Sequence, residues 1–168
     1  MKYQPITCVW EVTMACNMRC KHCGSSCSVP EKDELTTEEA VALCKEIGDL
    51  GLKWVTISGG EPTTRKDWDI IAKALNDNNV IPTMITNGWL LDSSLIERAE
   101  KAGVNTLAIS IDGTEKTHDF IRREGAFQRA MNGLDLIRKS KIHSAVITTI
   151  NSQNIDELED LKKILIAH

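Results

Sequence analysis

The feature that most constrains this chain is a fivefold alternation of short apolar runs with helical stripes. The runs are Ile6 to Val12, Trp54 to Ser58, Pro82 to Thr86, Thr106 to Ile111 and Ala145 to Ile150. Apolar residues at helical spacing follow each: Val41, Leu43, Cys44 and Ile47; Trp68, Ile71 and Leu75; Leu95, Ile96 and Ala99; Ala130, Leu134 and Ile137; and a last helix from Asn154 to about Ala167. Strands that alternate with helices pair in parallel, through right-handed crossovers. The expectation is an α/β fold with about five β/α units in one domain, residues 1–168. An open doubly wound sheet and an arc of a barrel both satisfy the pattern. The strands lack clean polar–apolar alternation, which predicts cover on both faces.

Local signals place the helix ends. Thr36 with Glu39, and Asn154 with Glu157, have the spacing of capping boxes, and Gly51 and Gly103 stop helices. Trp10, Trp54 and Trp68 are expected in the core. In either architecture ligands gather at the C-terminal ends of the strands. That edge collects Cys16 to Cys23, Gly59 to Pro62, Asn87, Ser110 and Asp112, with Thr149 at its margin.

Composition excludes several classes. A net charge of -4 offers no field for nucleic acid or an anionic membrane. No apolar run approaches the roughly 20 residues that cross a bilayer, and Met1 to Pro5 lack the layout of a signal peptide. Six cysteines without an export signal then indicate a reducing cytoplasm, and thiols kept for metal or catalysis. Cys8 and Cys44 sit alone in apolar patterns and are expected in the core, since free cysteine packs as a small hydrophobe.

The other four crowd into one loop after the first strand. Cys16, Cys20 and Cys23 have the spacing C-x3-C-x2-C. Three thiolates can hold three irons of a [4Fe-4S] cluster and leave the fourth iron open to a ligand. The plainer alternative is a zinc site completed by Cys27; otherwise Cys27 is a loop thiol outside the ligand set.

With Gly59-Gly60-Glu61-Pro62 after the second strand, this loop resembles the signature of the radical S-adenosylmethionine (SAM) superfamily. Ser110-Ile111-Asp112-Gly113 is similar to a segment common there. His118-Asp119-Phe120-Ile121-Arg122 and the start Trp10-Glu11-Val12-Thr13 look like its peptide- and cofactor-maturing branch, whose members carry SPASM or twitch extensions.

The resemblance implies a parallel partial barrel and a [4Fe-4S] cluster held by Cys16, Cys20 and Cys23. It implies that SAM chelates the fourth iron and is cleaved reductively to a 5'-deoxyadenosyl radical, which takes hydrogen from a peptide or small-molecule cofactor precursor. An electron donor such as flavodoxin or ferredoxin would supply the reductant. By the same resemblance, Gly59, Gly60 and Glu61 meet the methionyl amino group and Pro62 sets the turn. Ser110 and Arg122 are candidates for the carboxylate or ribose, Asn87 for the ribose or methionyl end. The backbone of His22 lies near the adenine, and Thr148 and Thr149 face the nucleoside. Ser110 and Asn87 also fit as turn or capping residues, Asp112 as a loop-shaping aspartate and His118 as a structural residue bonded near Asp119.

The usual core of this superfamily has six units, and the pattern here shows five, with no cysteine-rich extension. Hence the expectations of an incomplete core, with a module that retains cluster and SAM without turnover as the alternative, and of self-association through the open edge of strand five.

Overall fold

The computed structural model describes residues 4–168, so the expectation for Met1 to Pro5 falls largely outside the described residues. Five strands form one parallel sheet: β1 (Thr7–Glu11), β2 (Trp54–Ser58), β3 (Ile81–Thr86), β4 (Thr106–Ser110) and β5 (His143–Ile147). Their spatial order is their chain order. A doubly wound sheet reverses direction at a switch point; this one never does. With every crossover of one hand, the helices stack along one face and the sheet is an arc of a barrel.

The faces of the sheet are unlike. Val55, Ile57, Met84, Leu107 and Ile109 point to the helical side and are wholly buried. Between them Thr56 and Thr83 join hydroxyls at 3.0 Å on the other face, and Val9 is 66% exposed. Cover on both faces was expected from the sequence and holds for β4; in β1 to β3 exposure alternates, because the inner face opens toward the barrel interior. Trp54 likewise lies 44% exposed at the start of its strand, whereas Trp68 is buried.

Helix α1 (Thr37–Asp49) opens with the expected capping box, Thr36 and Glu39 each bonding the other's backbone. It packs on α2 (Trp68–Asp77), which buries Trp68, Ile71 and Leu75; α3 (Ser93–Lys101) buries Leu95, Ile96 and Ala99. Each such side chain contributes about 1.5–3 kcal/mol of apolar burial. Cys44 is buried and Cys8 packs at the edge of the same core. Among the described residues no helix is long and apolar enough to cross a membrane.

Three local expectations are corrected. The connection after β4 contains a helix, α4 (Glu115–Ile121), before α5 (Ala126–Arg138); at seven residues it is too short to show a stripe. Strand β5 ends at Ile147, because the Thr148 hydroxyl donates to the Ile111 carbonyl at 2.7 Å and the Thr149 N–H to Asp112 Oδ1 at 2.9 Å, replacing the ladder. Asn154 and Glu157 form no capping box. Asn154 donates to the carbonyls of Asp112 and Thr149, and Glu157 accepts from Thr114 and Thr117. Helix α6 (Leu158–Ala167) therefore starts late, after a 3-10 turn at Ile155–Glu157.

Candidate active site

The loop after β1 and the loop after β2 are bound backbone to backbone. Gly60 N–H donates to the Thr13 carbonyl at 2.8 Å and Glu61 N–H to the Ala15 carbonyl at 2.7 Å. So close is the approach that a Cβ on Gly59 would lie 2.3 Å from Thr13 O, and one on Gly60 2.2 Å from Ala15 O; Gly59 also has φ +147°. The two glycines are thus required by the chain's own cysteine loop as well as by any ligand. Arg65 ties down the same junction, donating to the Val12 carbonyl at 2.9 Å and to Asp67. Glu34 accepts from Thr13 and Met14.

Glu61 also has a structural role. It is 1% exposed, and its carboxylate accepts from Thr63 N–H and hydroxyl, the Thr86 hydroxyl and Asn87 N–H. Burial pushes its carboxyl up, and the four donors oppose the shift. The side chain is a brace between the loops after β2 and β3. Pro62 opens the 3-10 turn Pro62–Thr64 and sets the exit, as expected. Asn87 is also committed: its Nδ2 donates to Asn17 Oδ1 at 2.7 Å and its Oδ1 accepts from Trp89 N–H. It clasps the cysteine loop between Cys16 and Cys20.

At the centre of these contacts is a cavity of ≈ 230 Å³. Cys16, Cys20, Cys23, His22 and Cys27 line one side; Gly59 to Glu61, Asn87, Ser110, Arg122 and Thr149 line the other. Every site residue expected from the sequence lines this cavity except Pro62, buried in the 3-10 turn, and Thr148, whose hydroxyl is spent on Ile111. Burial pushes the thiols of Cys16 and Cys20 up. Met18 N–H, 3.4 Å from the Cys16 sulfur, and the Arg122 guanidinium beside Cys20 act the other way.

The sequence understated Asp112, whose only signal was its place two residues past β4. It is fully buried. Its Oδ2 accepts from Arg122 Nε at 2.6 Å and stands 3.0 Å from His22 Nε2; its N–H donates to His118 Nδ1 at 3.0 Å. Burial works to raise its carboxyl, and Arg122 more than offsets this, holding it below the usual range. His118 is therefore bonded to Asp112 and not near Asp119, whose carboxylate caps the turn into α5. His22 turns its ring to Asp112, without the alignment of a hydrogen bond.

The donor set suits a cluster. Three thiols stand around one wall with an N–H and a guanidinium near two of their sulfurs, which is the environment anionic sulfur ligands favour. Among the described residues no three His, Cys, Asp or Glu side chains are placed to hold a single metal ion. The family model of the radical SAM superfamily matches residues 10–165. The chain belongs to that superfamily.

Members of the radical SAM superfamily use a [4Fe-4S] cluster and SAM, and the relatives fall in the expected maturing branch. The AdoMet-dependent heme synthase of Methanosarcina barkeri is 38% identical over 161 residues, 94% of this chain and 46% of that protein. The sporulation killing factor maturation protein SkfB of Bacillus subtilis is 31% identical, over 95% of this chain and 39% of its own length. The chain thus spans less than half the length of the curated relatives it matches. Among solved structures, Streptococcus suis SuiB bound to S-adenosylmethionine superposes with a TM-score of 0.85 at 19% identity, covering 98% of this chain and 38% of SuiB. AdoMet-bound anSMEcpe gives 0.77 at 17%, covering 96% and 50%. The parallel arc is the radical SAM partial barrel.

Proposed function

We propose that residues 4–168 are the catalytic core of an enzyme that cleaves SAM reductively and abstracts hydrogen from a peptide or cofactor precursor. The observation that carries this is the meeting of Cys16, Cys20 and Cys23 with Gly59, Gly60, Ser110 and Arg122 around one cavity. The three thiolates would hold the cluster. When bound, the cluster supplies one electron to the sulfonium of SAM. The remaining chemistry of the chain is binding and orientation. Arg122, gripped through Nε by Asp112 and with Nη1 3.9 Å from the Cys20 sulfur, keeps Nη2 for an anionic group. Ser110, 8% exposed at the end of β4, offers a hydroxyl on the same side. The carbonyls of Gly59 and Gly60 are the candidate acceptors for an amino group, with Glu61 Oε2, which accepts only from Asn87 N–H, beside them.

The substrate class rests on the relatives: heme synthases, SkfB, and SuiB, which has been seen bound to its precursor peptide SuiA. The proposed donor is a flavodoxin or ferredoxin, and cysteines kept for a metal site support a cytoplasmic location. Strand β5 pairs only with β4 among the described residues, and Ile147 and Ile150 beyond it are exposed, which supports self-association along that edge. Light scattering on the eluting protein reads this directly, and a stable monomer would count against it. The core reading is tested by anaerobic reconstitution followed by iron and sulfide analysis. About four of each per chain are expected, and less than one iron would count against it.

A further inference from the structure

The outer side of the cysteine loop is ringed by cations, although the chain is acidic overall. Arg19 donates through Nη1 to the carbonyls of Cys16 and Met18, at 2.8 and 2.7 Å. Arg123 donates to the carbonyl between them, that of Asn17, at 3.4 Å. The Arg123 guanidinium also lies 4.0 Å from the centre of the Trp89 ring, and that of Arg129 lies 5.4 Å from it. All three arginines are exposed, and none of them is in an ion pair among the described residues. Stacking on one indole and bonding to main-chain carbonyls hold two of these charges in place without neutralising them. Unpaired cations fixed beside one another on a protein of net charge -4 invite an anionic partner.

Their position gives the partner its chemistry. The carbonyls that carry Arg19 and Arg123 belong to Cys16 and its two following residues, so the patch backs onto a ligand of the cluster. Trp89 is bonded to Asn87, which is bonded to Asn17. The reaction proposed above consumes an electron that the chain itself does not contain. We infer that Arg19, Arg123, Arg129 and Trp89 form the docking face for a small acidic one-electron carrier protein. The inference rests on the reductive reading of the cavity. In the docked complex the carrier would lose one electron, being oxidised by one unit, and the cluster that Cys16, Cys20 and Cys23 would hold would be reduced by one unit; no proton or group is transferred. The charge attracts and orients the carrier, and such charges act mainly on association rate and salt dependence.

The test compares two reductants on the reconstituted full chain: dithionite, a small chemical donor, and reduced flavodoxin, an acidic carrier protein. The double variant R123E/R129E lies outside the cavity. It is expected to cleave SAM with dithionite at the wild-type rate and with flavodoxin about tenfold or more slowly. The flavodoxin rate of the wild type is expected to fall as salt rises from low to high, as the Debye length shortens. R123K/R129K, which keeps the charges, is expected to retain most of the flavodoxin rate. Flavodoxin affinity, read by fluorescence anisotropy, should show the same order of variants whether or not SAM turns over. Equal loss with both reductants, or an unchanged flavodoxin rate and affinity in R123E/R129E, would overturn the docking face. Failure of dithionite to cleave SAM in the wild type overturns the reductive reading instead, and the anisotropy arm still decides the surface.

Discussion

Arg122 Nε lies 2.6 Å from Asp112 Oδ2, and the same guanidinium reaches to 3.9 Å from the sulfur of Cys20. One ion pair thereby fixes a cation next to a thiol proposed to hold the cluster and joins α4 to the end of β4. The H-x-x-x-R segment therefore works through Asp112: His118 takes its N–H, Arg122 its carboxylate.

Removing Asp112 leaves a largely enclosed cation without its partner. Asp112→Ala is expected to lose about 3 kcal/mol of stability, because breaking one side of a buried pair costs more than the pair contributes. Asp112→Asn keeps an acceptor for Arg122 and should lose less. Urea unfolding of both variants measures this, and equal, negligible losses would refute the pairing. The carboxyl sits below its usual range, so its stabilisation is full above the ordinary carboxylate pKa and fades only as pH falls below it.

His118 gives a separate window. Burial, helped by the nearby Arg122 charge, holds its imidazole down to about 4. Nδ1 accepts from Asp112 N–H, so the folded state requires the neutral ring. The unfolded chain takes up a proton near pH 6.5. The contribution is complete above that value, declines as pH drops toward 4 and is then constant, for a total of about 3 kcal/mol. Wild type minus His118→Gln, compared in denaturant at pH 7 and pH 4.5, should show the decline; no pH dependence in that difference would exclude it.

The glycines make a steric prediction. Gly60→Ala must push the Ala15 carbonyl from its bond to Glu61, and Gly59→Ala adds a disfavoured φ. Each should cost about 2–3 kcal/mol and reduce iron uptake, since the displaced segment carries Cys16. Thermal unfolding of the apo-protein separates the structural loss from any effect on ligand. Gly24→Ala, which meets nothing within 4 Å, is the control and should be neutral.

Cys27 is buried and lines the cavity, with its sulfur 3.9 Å from that of Met14. It is outside the C-x3-C-x2-C set. Cys27→Ser should retain about four irons, while serine at Cys16, Cys20 or Cys23 should lose most of them. Loss of iron from Cys27→Ser would make it a ligand.

What the sequence made legible was what depends on local rules. Period and turn residues located the five strands and most helices, and spacing brought the three cysteines and the glycine pair to one edge. The choice of barrel over doubly wound sheet needed the strand order, which no local pattern encodes. The work of Glu61, Asn87 and Asp112 was hidden for a related reason. Each spends its polar atoms on partners from distant loops: Glu61 on Thr86, Asn87 on Asn17, Asp112 on Arg122 and Thr149. Such pairings appear only once the strands lie side by side. Helix α4 was missed because two turns leave no periodic stripe.

The most direct measurement is the yield of 5'-deoxyadenosine from anaerobically reconstituted protein mixed with SAM and dithionite, beside the Cys20→Ser variant. The expected result is product from the wild type, and none above background from the variant. A wild type carrying about four irons that forms no 5'-deoxyadenosine, or a variant that forms as much, would contradict the assignment of this cavity as the site of reductive SAM cleavage.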